Sequence, residues 1–134
     1  MITCRAGKGR LRTVCRLFPT EGGMVVHLFG GEKPHVGAVA LAVPRPSLKG
    51  TGQTSSTASV LTVVGHKDDE LARPVALFLA ARLKVPVVVV AGVHVDGASC
   101  REIDELLNNS WRAVKGALGV WRKFCSQGPA VTVK

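Results

Sequence analysis

The chain has 134 residues, the length of one ordinary domain, and 46% of them are apolar, enough for a continuous core; one domain over 1–134 is expected. Lys and Arg number 18 against 9 acidic residues, and the net charge of +9 favours an anionic partner or simply keeps the protein soluble. The cations are spread without a basic run, and four Phe, two Trp and no Tyr leave little surface for stacking bases, which argues against nucleic acid.

Residues 10–18 alternate polar and apolar with the period of a half-buried strand, and 19–23 form a turn cluster, so a hairpin follows with Met24 to Phe29 as its returning strand. Gly30 to Pro34 reads as the next turn and Val36 to Val43 as a third strand. Three antiparallel strands then open the fold. Residues 44–57 form a long loop of turn-forming and hydroxyl residues, after which Ser59 to Val64 is again strand-like.

Asp68 and Asp69 lead into a helix over 71–83 with an apolar face through Leu71, Val75, Phe78, Leu79 and Leu83, and Pro74 falls in its first turns or kinks it. Val85 to Ala91 is the densest β-branched run and, lacking alternation, reads as a strand buried on both faces. Ser99 to Glu102 is a capping box, and Ile103, Leu106, Leu107, Val114 and Leu118 mark one face of the helix it opens. Residues 126–134 read as a loose tail. The expected class is α+β: a single mixed sheet of about five strands, an antiparallel meander followed by β-α-β-α, with the helices on one face.

No apolar stretch reaches the roughly 20 residues a membrane helix needs, since Pro86 and His94 interrupt Val85 to Val95. Cys4, Cys15, Cys100 and Cys125 form no C-x-x-C pair, and no secretory signal is visible, so free thiols in a reducing cytoplasm are expected.

Three histidines stand in polar loops beside strands: His35 after Glu32, His66 before Asp68, and His94 before Asp96. If the fourth strand runs antiparallel to the third and parallel to the fifth, all three loops reach one end of the sheet. If 44–57 acts as a crossover, His35 is separated and only His66 and His94 remain together. Imidazole and carboxylate at such spacing suit Zn, Fe or Mn, with His66, Asp68, His94, Asp96, His35 and Glu32 as candidate ligands. The alternative is a set of ordinary loop residues, with Asp68 capping a helix. Lys49, Gly50, Gly52, Thr54, Ser55 and Ser56 offer backbone N–H groups, hydroxyls and a cation for a phosphate cradle, or form a solvated loop. Neither a nucleophile elbow nor a Ser-His-Asp series is present, and nothing points to turnover.

The blocks Arg45-Pro-Ser-Leu-Lys-Gly-Thr-Gly, Ser55-Ser-Thr-Ala-Ser-Val-Leu, Gly65-His-Lys-Asp-Asp-Glu and Gly92-Val-His-Val-Asp-Gly-Ala resemble those of the small LpdD-type proteins, over about residues 24–118. That family includes a component encoded with gallate-type decarboxylases of the UbiD class, and its fold is related to proteasome-assembly chaperones. The resemblance implies a non-catalytic carrier of prenylated FMN, with a divalent metal, serving a UbiD-type decarboxylase; a homodimer is a separate expectation, favoured if valine-rich strands stand exposed at the sheet edge. It makes His66, Asp68, His94 and Asp96 the metal or cofactor contacts, adds Lys67, and offers Arg45, Ser47 and the 49–57 loop for the phosphate. Tracing sets that loop at the opposite end of the sheet, where only a dimer could unite the two. The competing reading is an assembly factor that binds a larger enzyme and holds no cofactor.

Overall fold

The computed structural model describes residues 1–63, 65 and 67–128. It contains six strands and two helices: β1 (Ile2–Ala6), β2 (Thr13–Thr20), β3 (Gly23–Gly31), β4 (Ala38–Pro46), β5 (Thr54–Thr62), α1 (Asp69–Leu83), β6 (Val87–His94) and α2 (Cys100–Ser126), with a 3-10 turn over Gly9–Leu11. The strands form one mixed sheet in the order β1-β2-β3-β6-β4-β5. This is the α+β class expected, with six strands in place of about five.

The added strand is β1, a short edge strand paired antiparallel to β2. Ile2 and Cys4 turn to the core while Thr3 and Arg5 alternate with them, a pattern too short to stand out in sequence. The β2–β3 hairpin forms as its alternation predicts.

An antiparallel meander opens the fold, but it is β1-β2-β3; the strand expected to be its third, β4, does not pair with β3. β6 lies between β3 and β4, parallel to β3 and antiparallel to β4. The valine-rich strand takes the centre, where both edges find backbone partners and one face is sealed by helices. The 44–57 segment is no crossover either: β4 continues to Pro46 and β5 begins at Thr54, so 47–53 is the tip of an antiparallel hairpin. β5 and β6 therefore point the same way without touching.

One face of the sheet holds the core. Cys15 and Leu17 of β2, Met24, Val26 and Leu28 of β3, Ala38, Ala40 and Ala42 of β4, and Val87, Val89 and Ala91 of β6 all turn to it. α1 packs over β4, β5 and β6, and α2 over β1 and β2. The row of alanines on β4 lets α1 approach closely, with Leu71, Val75 and Leu79 filling the space. Pro74 is accommodated inside α1. At full burial each Val or Leu side chain contributes about 1.5–3 kcal/mol before entropy.

Among the described residues no element packs on the other face. Val88 and Val90 are only half-buried, so β6 is not covered on both sides as its composition suggests, and Val25, Leu41, Val43 and Leu61 are exposed. α2 extends past its apolar face to Ser126, into the segment expected as tail; 129–134 lie outside the described residues. The four cysteines are unpaired, and among the described residues no helix is long and apolar enough to cross a membrane.

Candidate functional site

The strand directions bring the ends of β3, β5 and β6 and the start of β4 to one end of the sheet. Glu32, His35, Asp68, His94 and Asp96 gather there, while His66 lies outside the described residues. Close backbone approach builds the cluster. A Cβ on Gly37 would run into the Asp68 carboxylate, and one on Gly92 would run into the His35 carbonyl, so glycine is required at both.

Asp68 stands at the N-cap of α1 but makes no capping hydrogen bond. Its carboxylate turns inward and is buried: Oδ1 accepts from the Val93 N–H at 3.0 Å and Oδ2 lies 2.9 Å from His35 Nε2. The other ring nitrogen, His35 Nδ1, donates to the Lys33 carbonyl at 2.8 Å. A carbonyl can only accept, so Nδ1 carries hydrogen and Nε2 is the nitrogen that meets the carboxylate. This is the orientation by which backbone carbonyls hold ligating imidazoles.

The His94 ring lies 6.3 Å from that of His35, nearly perpendicular to it, with its Nε2 2.9 Å from Asp96 Oδ1. Asp96 Oδ2 meets Lys33 Nζ at 2.7 Å. The Lys33 ammonium first, and His94 second, hold the Asp96 carboxyl below the usual carboxylate range, while Asp96 raises Lys33. Glu32 accepts the Asp96 backbone N–H at 3.2 Å and pairs with Arg10 at 3.3 Å; Arg10 also meets Glu102 at 2.9 Å. Arg10 and Lys33 belong to this end of the molecule and no sequence motif indicated them, while Glu102 was marked only as part of the capping box. Arg10 lies in the 3-10 turn, not in a strand as its alternation suggested.

Between the first turns of α1 and α2 and the end of β6 lies a cavity of about 410 Å³. Leu71, Val93, Ile103 and Leu106 give it apolar walls, and Lys67, Asp68 and His94 reach its lining. The size and the few convergent polar groups are those of a small-molecule site. Ile103 and Leu106 had read only as a helix face; no periodicity separates a residue covering core from one lining a cavity.

The hairpin tip 47–53 lies at the opposite end of β4 and β5. Arg45, Ser47, Gly50, Gly52 and Thr54 line a separate shallow hollow there, Arg45 bonds Thr57 at 2.8 Å, and Ser56 donates to the Leu77 carbonyl at 2.7 Å. At about 3.3 Å per residue, the length of β4 sets this loop roughly 25 Å from the histidines within one chain. His27 lies mid-strand on the uncovered face, stacked 4.3 Å from Phe29. Among the described residues no three or more His, Cys, Asp or Glu side chains are grouped to hold a metal.

A mixed sheet with helices on one face and a polar-rimmed cavity at its end defines a small α+β domain with a candidate ligand cavity. Residues 7–120 match the family described as prenylated flavin chaperone LpdD-like domain, and the chain belongs to that family. The match takes in the β2–β3 hairpin, which lies largely ahead of the motif blocks. No curated protein matches. Among solved structures, a chain from the crystal structure of a chaperone complex for yeast 20S proteasome assembly shares the fold at 12% identity, with a TM-score of 0.53 over 92% of this chain and 98% of that one. The family makes this a chaperone domain.

Proposed function

We propose that the protein is a non-catalytic carrier that holds prenylated FMN in the cavity beside His94 and the His35–Asp68 pair and delivers it to a UbiD-type decarboxylase. The observation that carries this reading is the juxtaposition of an apolar cavity of about 410 Å³ with imidazole, ammonium and carboxylate groups, in a chain of this family. The walls suit a flat apolar ring system, and Lys67 and His94 can hydrogen-bond its polar edge. A divalent Fe, Mn or Zn ion is part of the proposal. His35 and Asp68, and His94 and Asp96, are hydrogen-bonded pairs here, and each pair would exchange that bond for the ion to hold it. A homodimer formed through the uncovered sheet face completes it.

Anaerobic titration with reduced prenylated FMN, with and without each metal, tests the reading in the natural chain and in His35→Ala/His94→Ala. Saturable binding that falls at least about tenfold in the double variant is the expected result. A requirement for metal supports the metal part, and equal binding without metal removes that part alone. No binding under any condition overturns the carrier. The second reading, an assembly factor without cofactor, is favoured by the broad apolar sheet face and predicts capture of a partner enzyme that the histidine substitutions leave unchanged.

A further inference from the structure

A second cavity, of about 590 Å³, opens at the same end of the sheet, where β1 ends, the Gly9–Leu11 turn runs and β2 begins beside the first half of α2. Arg5, Lys8, Arg12 and Arg112 line it against one carboxylate, Glu105. Among the described residues none of these four cations is ion-paired, whereas adjacent Arg10 is neutralised by Glu32 and Glu102. Like charges gathered around one concavity repel one another and focus a positive potential into it.

The wall is built, not a chance meeting of surface side chains. Asn109 is 3% exposed; its Nδ2 donates to the Leu11 carbonyl at 2.9 Å and its Oδ1 accepts from Arg112 Nη1 at 3.3 Å. One buried amide thus ties the turn to α2 and orients a guanidinium. A Cβ on Gly7 would strike that amide, so the loop lies directly against the helix. Guanidinium forks match the paired oxygens of a phosphate, and the volume falls in the small-molecule range.

We propose that this cavity binds a phosphate-bearing ligand, with Arg12 and Arg112 as hydrogen-bonding forks, Lys8 as a point charge and Arg5 adding only positive potential at the edge. The inference does not depend on what the histidine cluster holds. Arg10 lies between the two sites, donating to Glu32 and to the Asp96 carbonyl on one side and belonging to the 3-10 turn on the other.

The test is calorimetric titration of the full chain with inorganic pyrophosphate at fixed ionic strength. The natural chain is compared with Arg12→Gln/Arg112→Gln, with Glu105→Gln, and with Arg122→Gln/Lys123→Gln, which removes equal charge from the far end of α2. Saturable one-to-one binding, weakened about tenfold or more in the first variant, tightened by Glu105→Gln and unchanged in the last, is the expected pattern. No saturable binding, no weakening in the cavity variant, or equal weakening in both double variants would overturn it. Should Arg12→Gln/Arg112→Gln fail to fold, the Glu105→Gln arm decides: failure to tighten sinks the proposal.

Discussion

Asp68 occupies the position from which an acidic side chain ordinarily caps a helix, yet its two oxygens go to His35 and to the Val93 N–H. The α1 N-terminus gives up a side-chain cap, and in return one carboxylate fixes the β4 entry loop, the end of β6 and an imidazole together. Asp96 plays a looser part at the exposed rim. Because Lys33 and then His94 depress its titration, the sign is that of a carboxylate held ionised by the fold. Its contribution is present above the unfolded carboxylate value and is lost as pH falls through the lower folded one. NMR titration should find the Asp96 carboxyl midpoint below that of an unstructured aspartate, moving upward in Lys33→Ala; an unchanged midpoint in the variant would remove Lys33 as the cause.

Among the elements, α2 does the most to define this end of the molecule. Its capping box is complete: the Glu102 N–H donates to Ser99 Oγ at 3.2 Å and the Ser99 N–H to Glu102 Oε1 at 3.3 Å. Glu102 also receives Arg10, so the first turn of the helix is tied to the 3-10 turn as well as capped. From that turn onward Ile103, Leu106 and Leu107 line the smaller cavity, and Glu105, Asn109 and Arg112 the larger. Ser99→Ala should cost about 1 kcal/mol of stability in chemical denaturation. It should also weaken ligand binding at the smaller cavity, because the helix start that carries its wall would fray. A loss under a few tenths of a kcal/mol would mean that the Arg10–Glu102 link holds the helix start without the cap.

For the molecule as a whole the unresolved balance is in the sheet, which is sealed by helices on one face and bare on the other. In register across the bare face lie Phe18, Val25, Val88 and Leu41, with Val90, Val39 and Leu61 in the next row. Strand spacing near 4.8 Å and rise near 3.3 Å make the whole face, its polar positions included, roughly 24 by 26 Å, about 600 Å² in projection. That approaches one partner's share of a standard interface, about 800 Å². Among the described residues this face presents Arg5, Arg16, His27 and Arg45 and no carboxylate, so a second copy covering it brings cations together unpaired, a cost the apolar rows must offset. Sedimentation should find a dimer, converted to folded monomer by Val25→Lys/Leu41→Lys, since both side chains are exposed in the single chain. A monomer at tens of micromolar in the natural chain would exclude this assembly.

Much of this was legible in the sequence because its signals are local. Alternation marked the β2–β3 hairpin, the capping box marked the start of α2, and apolar spacing marked both buried helix faces. The gathering of His35 with Asp68, His94 and Asp96 followed from strand directions, and those depend only on which connections are tight turns and which carry a helix. Tertiary structure decided what depends on neighbours distant in the chain. The place of β6 between β3 and β4 was not legible, because a valine run specifies burial but not its two partners. The addition of β1 was hidden because five residues of alternation gain strand character only when an edge is available to pair with. The Asn109 tie and the cations around it were invisible for the same reason: Arg5, Lys8, Arg12 and Arg112 are scattered charges in sequence, and become one cavity only when β1, the 3-10 turn and α2 pack together.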